Sequence, residues 1–220
     1  MMMRLTILSL CVAVANSADA PPGAAQPPFP DKAANARWLA HAASWGVLST
    51  VSNREAMVGR PFGNPYSFSD GAEGNSTGVP YFLASTYDQS MHDIFAIDAP
   101  SGGAPHPDVS LTLSEAELKG DPRDTRSCAV SGRGDPENPP CTRLVLSGKY
   151  VNLTGTAEEA VARAAFVSRH PLGSEWETFS DFFFGKIDVD DVWLIDTYGG
   201  ASILTPDEYF SAVPAARRGV

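Results

Sequence analysis

The sequence predicts an α+β fold in which antiparallel strands curl into a barrel with helices at its periphery. Three observations favour this architecture. The order of elements is helix, three strands, short helix, two strands, helix, strands and short helix, an order typical of α+β proteins. Neighbouring strands are joined by short turns with few crossovers, as in antiparallel barrels. No glycine-rich phosphate loop follows a strand, which argues against a nucleotide-binding βαβ unit.

The first predicted elements are a capped helix and a pair of strands. Asp31 can cap a helix that runs to about Ser44, and the β-branched strand "GVLSTVS" follows it. The segment "REAMVGRPFGNPYSFSDG" is its expected partner, interrupted by Pro and Gly as an edge or bulged strand is. A third strand is predicted over "VPYFLAS". The residues expected to share one face of the helix are Ala34, Trp38, Ala42 and Trp45.

The middle of the chain continues with a short helix and two strands. One or two helical turns are predicted over "YDQSMHDIFAIDAP", and a strand over "PDVSLTLSEAEL". The segment "CTRLVLSGKYVNLT" alternates well enough to form a long strand, in which Gly148 marks a bend or bulge.

The last third contains the clearest helix, "TAEEAVARAAFVSRHP". Thr156 and Glu159 are spaced as a capping box, and Pro171 ends the helix. A pair of strands is predicted over "DFFFGKIDVDDVWLIDTYG". A last helix starts in "TPDEYF", where Thr205 is the cap and Glu208 closes the box. The residues expected on one side of the longer helix are Val161, Ala164, Ala165 and Ser168.

The N-terminal residues are typical of a signal peptide. Arg4 precedes the apolar run "LTILSLCVAVA", which is too short to span a bilayer comfortably, and small residues follow. Cleavage is expected after Ser17, with Ala18 and Ala20 as alternatives; the competing interpretation is a buried N-terminal helix. The mature protein is therefore expected to be soluble and to follow the secretory route. The predicted organisation is a signal peptide (1–17), a Pro-rich leader (18–30), a single domain (31–212) and a C-terminal tail (213–220).

Composition limits the functional classes that the chain can belong to. Its 220 residues are enough for one domain with its own core, and 43% of them are hydrophobic, which is ordinary for a globular protein. The net charge is −10 and no basic stripe is present, so binding to nucleic acid is not expected. The four histidines are dispersed and match no zinc spacing, so no metal site is predicted.

Two cysteines and two sequons agree with a secretory route. Cys128 and Cys141 remain as a pair once Cys11 leaves with the signal peptide. In an oxidising compartment we expect them to form a disulfide that closes the loop "AVSGRGDPENPP" rather than to stay free thiols. The sequons "NST" at Asn75 and "NLT" at Asn152 are expected N-glycosylation sites.

An ordered set of segments resembles the CREG glycoproteins, named as cellular repressors of genes stimulated by an adenoviral early protein. The segments, within residues 35 to 211, are "WGVLSTVS", "GRPFGNPYSFSDG", "GVPYFLAS", "PDVSLTLS", "CTRLVLSGKY", "FVSRHP" and "VWLIDTYGG". The resemblance implies a secreted or endo-lysosomal homodimer with the split β-barrel of FMN enzymes such as pyridoxamine-phosphate oxidase. It also implies a role in restraining proliferation and promoting differentiation, and a mannose-6-phosphate (insulin-like growth factor II) receptor as a partner.

The resemblance also locates a flavin site and shows that it is altered. Flavin and haem relatives carry a segment of the form Ser-x-x-x-x-His-x-Arg-Asn after the third strand. Ser85 aligned on the first Ser places Ser90 on the His, His92 on the Arg and Asp93 on the Asn. An FMN phosphate favours a planar bidentate donor, whereas His92 is largely neutral at neutral pH and Asp93 adds negative charge. Acidic pH can restore part of the positive charge at His92, and Arg60 is a candidate substitute ligand unless it is simply a surface arginine.

Other motifs indicate sites less strongly. The "RGD" of Arg133 to Asp135 lies in the loop that the disulfide would close, which is a suitable presentation for an integrin ligand, but turn chemistry explains the loop equally well. No "GxSxG" motif surrounds any serine, so a hydrolase triad has no support. His170 is expected to cap a helix C-terminus. Asp188 to Asp191 lacks the Gly and Glu of a calcium loop and is expected to be a solvated turn.

Two functional hypotheses follow. The first is a non-catalytic, glycosylated split-barrel homodimer that is secreted or lysosomal and acts by binding receptors or other proteins, with no cofactor and no contact with DNA. The alternative is an FMN- or haem-dependent oxidoreductase that uses the dimer groove, with Arg60 and His92 holding the cofactor phosphate.

Overall fold

Seven strands form the main sheet of this protein in the computed structural model, which describes residues 26–72, 74–99, 103–118, 128–130 and 133–214. The predicted signal peptide and its cleavage site lie outside these residues, as do most of the leader and the end of the tail. Within the described ranges, no helix is long and apolar enough to cross a membrane.

The strands and helices follow one another in the predicted order. The strands are Trp45–Val51 (β1), Pro61–Ser67 (β2), Tyr81–Ser85 (β3), Asp108–Ser114 (β4), Ala129–Val130 (β5), Arg133–Gly134 (β6), Arg143–Asn152 (β7), Phe182–Ile195 (β8) and Ser202–Leu204 (β9). The helices are Lys32–Ala42 (α1), Gln89–Phe95 (α2), Glu159–Arg169 (α3), Gly173–Trp176 (α4) and Pro206–Ser211 (α5). Short 3₁₀ turns cover Glu55–Met57 and Glu115–Leu118.

The main sheet is antiparallel and curls until its two edges meet. Its strand order is β2-β1-β4-β7-β8-β3, with β9 paired to β8, while β5 and β6 form a separate hairpin. Between the edge strands, one isolated bridge joins Ser69 to Tyr81, and Asn64 Nδ2 donates to Asp88 Oδ2 over 3.0 Å. The result is a barrel with a split between β2 and β3, which confirms the predicted α+β split-barrel fold.

Helix α1 packs inside the main apolar core together with inward residues of β4 and β7. Asp31 caps it as predicted, since its carboxylate accepts from the backbone N–H of Ala34. The expectation of one apolar face was wrong because the helix is buried on almost every side. Trp45 is not part of the helix; it begins β1 and is 45% exposed.

Helix α3 covers the outer face of β3 and β8 and forms a second, smaller core there. The predicted capping box is wrong, because the helix begins at Glu159, whose carboxylate accepts instead from Gly155 N–H over 2.8 Å. Thr156 Oγ1 donates to the carbonyl of Leu153. The side chains that α3 buries are Ala162, Ala165 and Phe166, so only Ala165 of the predicted face is correct.

The long strand β8 replaces the predicted pair of strands. Asp188–Asp191 lies within this strand and not in a turn, so that prediction was wrong. The register with β7 shifts at Gly148, which leaves Asp190 as an extra residue on β8. A Cβ atom on Gly148 would lie 2.0 Å from the Asp188 carbonyl oxygen, so only glycine fits. The predicted bulge at this glycine is confirmed.

Residues close to the two ends of the domain are tied together through Arg37 of α1. Its guanidinium donates to the carbonyl of Ala212 over 2.7 Å and to that of Phe210 over 3.2 Å, beyond and at the end of α5. The other terminal nitrogen donates to the carbonyl of Ser76 over 2.9 Å. Helix α5 itself starts with the predicted capping box of Thr205 and Glu208.

Candidate functional site

The predicted cofactor segment forms the turn after β3 and the short helix α2. The Asp88 carboxylate caps this helix by accepting from Ser90 N–H over 2.8 Å. The helix ends at Phe95 and is capped by Ala96, whose φ of 55° places it in the left-handed region. Asp88 also accepts from Asn64 Nδ2 of β2 over 3.0 Å, so the start of α2 lies beside β2 at the barrel split.

Asp93 faces the protein interior and is fully buried. One carboxylate oxygen accepts from Thr50 Oγ1 over 2.8 Å. The other accepts from the backbone N–H of Asn53 and from Gln89 Nε2, both over 2.8 Å. The contacts from Thr50 and Asn53 anchor α2 to the end of β1 and the residues just after it, while Gln89 binds Asp93 from within α2. Asp93 therefore supports the fold and does not present its side chain at the helix surface.

The other predicted cofactor residues do not form one binding cradle. His92 is partly exposed in the last turn of α2, whereas Ser90 is fully buried. Ser85 Oγ accepts from the N–H of Tyr87 over 3.3 Å. Arg60 is exposed in the turn before β2, and no hydrogen bond or ion pair joins it to α2 in the described part of the chain.

This set of side chains does not fit a flavin phosphate. A phosphate with nearly two negative charges needs cationic, preferably forked, donors. The segment offers one partly exposed imidazole, while Asp88 and Asp93 place two carboxylates on the same short helix and its cap. Three cavities whose walls are among the described residues measure about 310, 370 and 410 Å³, and no histidine lines any of these three. No described group of three or more His, Cys, Asp or Glu side chains could hold a metal ion.

A second buried carboxylate, Asp70, lies under the loop that carries the first sequon. It accepts from His41 Nδ1 over 2.7 Å and from Ser76 Oγ over 2.5 Å, and Arg169 Nη1 lies 3.5 Å away. A carboxylate can only accept, so the proton of the His41 ring is on Nδ1. The sequence offered no local signal for this cluster, because its members come from α1, α3 and the loop after β2.

Both sequon asparagines are exposed. The loop of Asn75 is held from beneath, since Thr77 Oγ1 donates to the backbone carbonyl of Asp70 over 2.6 Å. Asn152 is the last residue of β7, and its Oδ1 accepts from the N–H of Thr154 over 2.8 Å.

The predicted disulfide is present, with Cys128 and Cys141 sulfurs 2.07 Å apart. Within the loop it closes, Asp135 is exposed and its Oδ1 accepts from the N–H of Glu137 over 2.9 Å. Only the backbone is described for Arg133 and Gly134. The carboxylate of the "RGD" motif is thus engaged in the turn of its own loop.

His170 lies at the C-terminal end of α3, and its ring packs inside the protein. Its Nε2 lies 2.8 Å from the carbonyl oxygen of Phe68, and its ring centre is 4.7 Å from that of Phe166. Burial is the largest effect on this imidazole and lowers its pKa below the ordinary 6.5. The predicted cap is confirmed, because His170 is the C-cap residue of α3 and its backbone N–H donates to the carbonyl of Phe166 over 2.8 Å.

Comparison with known protein families and sequences gives one consistent result. Residues 27–211 match the family described as "CREG, beta-barrel". Human CREG1 is 34% identical over 185 residues, which cover 84% of this chain and 76% of that protein. Human CREG2 is 38% identical over 192 residues, with 87% of this chain and 60% of that protein covered. CREG1 from Gallus gallus is 34% identical over 190 residues, which cover 86% of this chain and 90% of that protein.

Solved structures share the fold at lower identity. A heme binding protein from Mycobacterium smegmatis is 21% identical with a TM-score of 0.60, over 85% of this chain and 62% of that chain. The protein Atu2129 from Agrobacterium tumefaciens, whose function is unknown, is 20% identical with a TM-score of 0.56, over 86% of this chain and 64% of that chain. At these identities the likeness shows the barrel fold alone.

Proposed function

Because the chain belongs to the CREG family, we propose that it is a secreted or lysosomal glycoprotein that acts by binding other proteins. In this proposal two copies form a homodimer, the barrel is a non-catalytic scaffold, and the protein does not contact DNA. Binding restrains proliferation and promotes differentiation. A mannose-6-phosphate (insulin-like growth factor II) receptor is the proposed partner for its glycans.

One observation carries the non-catalytic part of the proposal. In the segment aligned with a flavin phosphate site, the side chain of Asp93 points into the core, where its carboxylate accepts from three donors. A side chain that anchors α2 in this way is not available to a cofactor. The alternative, an FMN- or haem-dependent oxidoreductase, would have to bind the phosphate through Arg60 and His92, which the fold leaves on separate elements.

Three further features support a protein of the secretory route. The first residues are typical of a signal peptide. The disulfide between Cys128 and Cys141 suits an oxidising compartment. Asn75 and Asn152 are exposed members of sequons. The net charge of −10 disfavours direct binding to nucleic acid, so an effect on transcription has to pass through receptors or lysosomal turnover.

The cofactor part of the proposal is tested with purified secreted protein. Its absorbance spectrum is recorded, and FMN and haem are titrated at about pH 7 and about pH 5, where histidine titrates. We expect no flavin or haem band and no binding at either pH. A band as purified, or FMN binding that appears only at the lower pH and is lost in His92→Gln, would favour the oxidoreductase.

The glycoprotein part is tested by expression of the full chain in animal cells. We expect Asn75→Gln and Asn152→Gln each to remove one glycan by mass, and light scattering to give the mass of a dimer. Cell uptake is expected to fall when free mannose 6-phosphate competes. Secretion of a glycan-free monomer would contradict the proposal.

A further inference from the structure

The cavity of about 410 Å³ lies between α3 and the strands β3 and β8, and its wall includes the aromatic start of β8. The aromatic surface continues outside the cavity, because the ring centre of Phe182 is 6.4 Å from those of both Trp176 and Phe179. Trp176 is 42% exposed and Phe179 is 60% exposed. We call Trp176, Phe179 and Phe182 the aromatic patch. Contiguous exposed rings beside a cavity indicate a binding surface.

Asn152, the asparagine of the second sequon, lies close to this cavity. It pairs in the sheet with Gly185, the neighbour of Phe184 in the cavity wall. The N–H of Leu153 donates to the carbonyl of Phe184 over 2.9 Å, and the N–H of Thr156 donates to the carbonyl of Leu153 over 2.9 Å. This turn brings the Cα atom of Thr156, which also lines the cavity, within about 11 Å of the Cα atom of Asn152. The first few sugars of a glycan span such a distance.

The side chain of Asn152 is held over the same turn. Its Oδ1 accepts from the N–H of Thr154 over 2.8 Å. An N-linked glycan is attached through the amide nitrogen, so Oδ1 keeps this hydrogen bond after glycosylation. On the cavity side the turn is closed by Glu159, a wall residue whose carboxylate accepts from the N–H of Gly155 over 2.8 Å. The point of attachment of the glycan is therefore fixed relative to the cavity.

The chemistry of the cavity wall suits a sugar. Its aromatic part is Phe182–Phe184, and its polar part contains an ion pair in which Arg163 Nε donates to Glu177 Oε2 over 2.6 Å. The guanidinium has more N–H groups than this pair uses, and sugar hydroxyls can accept from them. An anion would meet two carboxylates, Glu159 and Glu177, and one guanidinium in the wall. A pyranose is neutral, with apolar C–H faces for the rings and hydroxyls at its edge for the ion pair.

We propose that the glycan of Asn152 folds back onto the protein, where its first sugars occupy this cavity and cover the aromatic patch. The inference rests on the proposed glycosylation of Asn152. It gives the two sequons different tasks. The sugars on Asn152 shield an aromatic surface of their own chain, and the glycan on Asn75 is the one offered to a receptor.

Hydroxyl-radical footprinting of the full chain from animal cells tests this proposal, because mass spectrometry reads the oxidation of each aromatic side chain separately. Thr154→Ala removes the sequon but keeps the backbone N–H that holds Asn152 Oδ1. We expect Trp176 and Phe179 to be oxidised several-fold faster in this variant than in the wild type. Trp45 is the internal control, since it is 45% exposed, belongs to β1 and does not line this cavity. Its oxidation should not change.

Two matched variants show whether the glycan and the patch act on each other. Asn75→Gln removes the other glycan and should leave the oxidation of Trp176 as in the wild type. Thr154→Ala should lower the folding equilibrium constant about tenfold, the size of a contact between coupled groups. In a chain that already carries Trp176→Ser and Phe179→Ser, the same substitution should have a much smaller effect, because most of the stacking surface is gone.

The outcomes separate this inference from the proposal on which it rests. A mass spectrum without a glycan at Asn152 would contradict the glycoprotein proposal and overturn the inference with it. An occupied Asn152 with equal oxidation of Trp176 in the wild type and in Thr154→Ala would overturn the inference alone. Protection of the aromatic patch that persists in Thr154→Ala and grows with protein concentration would show that a second copy of the chain covers it, which also overturns the inference.

Discussion

Asp70 and Asp93 are both fully buried carboxylates, but the fold compensates their charge in different ways. Asp70 faces a guanidinium and an imidazole, from Arg169 and His41. Among the described residues, the donors to the Asp93 carboxylate are neutral, namely a hydroxyl, a backbone N–H and a side-chain amide. The first arrangement joins α1, α3 and the sequon loop by charge; the second joins α2 to β1 by dipoles.

The difference explains why the candidate site is unsuitable for an anion. Neutral donors stabilise a carboxylate without cancelling its charge, so the field of Asp93 remains at α2. At Asp70 the Arg169 guanidinium, a group that could have bound a phosphate, already faces a carboxylate inside the protein. The same residue type thus serves in one place as half of a charge pair and in the other as an acceptor for hydrogen bonds.

The largest loss of stability is expected when the buried ion pair between Asp70 and Arg169 is broken. Asp70→Asn leaves the Arg169 guanidinium buried beside a neutral amide, so we expect the free energy of unfolding to fall by about 3–5 kcal/mol. Urea denaturation measures the change. The control is Asp108→Asn: Asp108 pairs with Lys149 at the surface with 76% of its side chain exposed, and its loss should leave stability unchanged. Equal effects at the two sites would contradict the buried-pair interpretation.

A smaller loss of stability is expected when Asp93 keeps its charge but loses one of its hydrogen-bond donors. Thr50→Val conserves shape and leaves Asp93 Oδ2 without its hydroxyl partner, which should cost about 2 kcal/mol for a hydrogen bond to a charged group. The measurement is again the urea midpoint, with Thr112→Val on the exposed part of β4 as the control. A loss no larger than that of the control would mean that the hydroxyl does not hold the carboxylate.

Neutralisation of Asp93 should cost still less. In Asp93→Asn the retained oxygen can accept from Asn53 and Gln89, and the new amide nitrogen can donate to the Thr50 oxygen, so we expect a loss of about 1 kcal/mol. The comparison with Asp70→Asn is the decisive one. If the two substitutions destabilise equally, the distinction between compensation by charges and compensation by dipoles is wrong.

The smallest effect is expected on the way the thermal midpoint of unfolding changes with pH. The unfolded chain protonates His170 near its ordinary pKa of 6.5, whereas the folded protein protonates it only at a lower pH. Stability from this residue is therefore present above about pH 6.5 and is lost as the pH falls through the folded pKa. We expect His170→Asn, which can still donate to the Phe68 carbonyl, to flatten the fall of the thermal midpoint in that range. An unchanged slope would show that His170 is protonated equally in both states.

Local chemistry made much of the fold predictable. Asp31 and the Thr205–Glu208 box act within a few residues of the helices that they cap, and Gly148 marks a bulge where only glycine fits. Predictions failed where distant contacts decide the outcome. Helix α3 starts at Glu159 and not at the predicted cap, because the Glu159 carboxylate accepts from Gly155 N–H. Helix α1 does not have the single apolar face that was expected, because the barrel surrounds it on almost every side.

The candidate site was predictable in position but not in orientation. The aligned segment does form the turn and helix after β3, as the pattern indicated. The inward direction of Asp93 depends on Asn53, 40 residues earlier in the chain. The Asp70 cluster likewise combines residues from separate elements, and no spacing in the sequence indicates such a contact.

The hydrogen bonds of the Arg37 guanidinium to carbonyls at and beyond the end of α5 have a consequence for synthesis of the chain. The guanidinium donates to the carbonyl of Ala212, which lies 175 residues further along the chain. A ribosome produces the chain from its N-terminus, so the helix that carries Arg37 is made long before α5. Strands can pair during translation, but the arginine remains without these carbonyls until residue 212 has emerged. Folding of this domain is therefore completed late in translation. Chains truncated before residue 212 leave the Arg37 guanidinium without these partners in the interior, where cellular quality control can recognise them as incompletely folded.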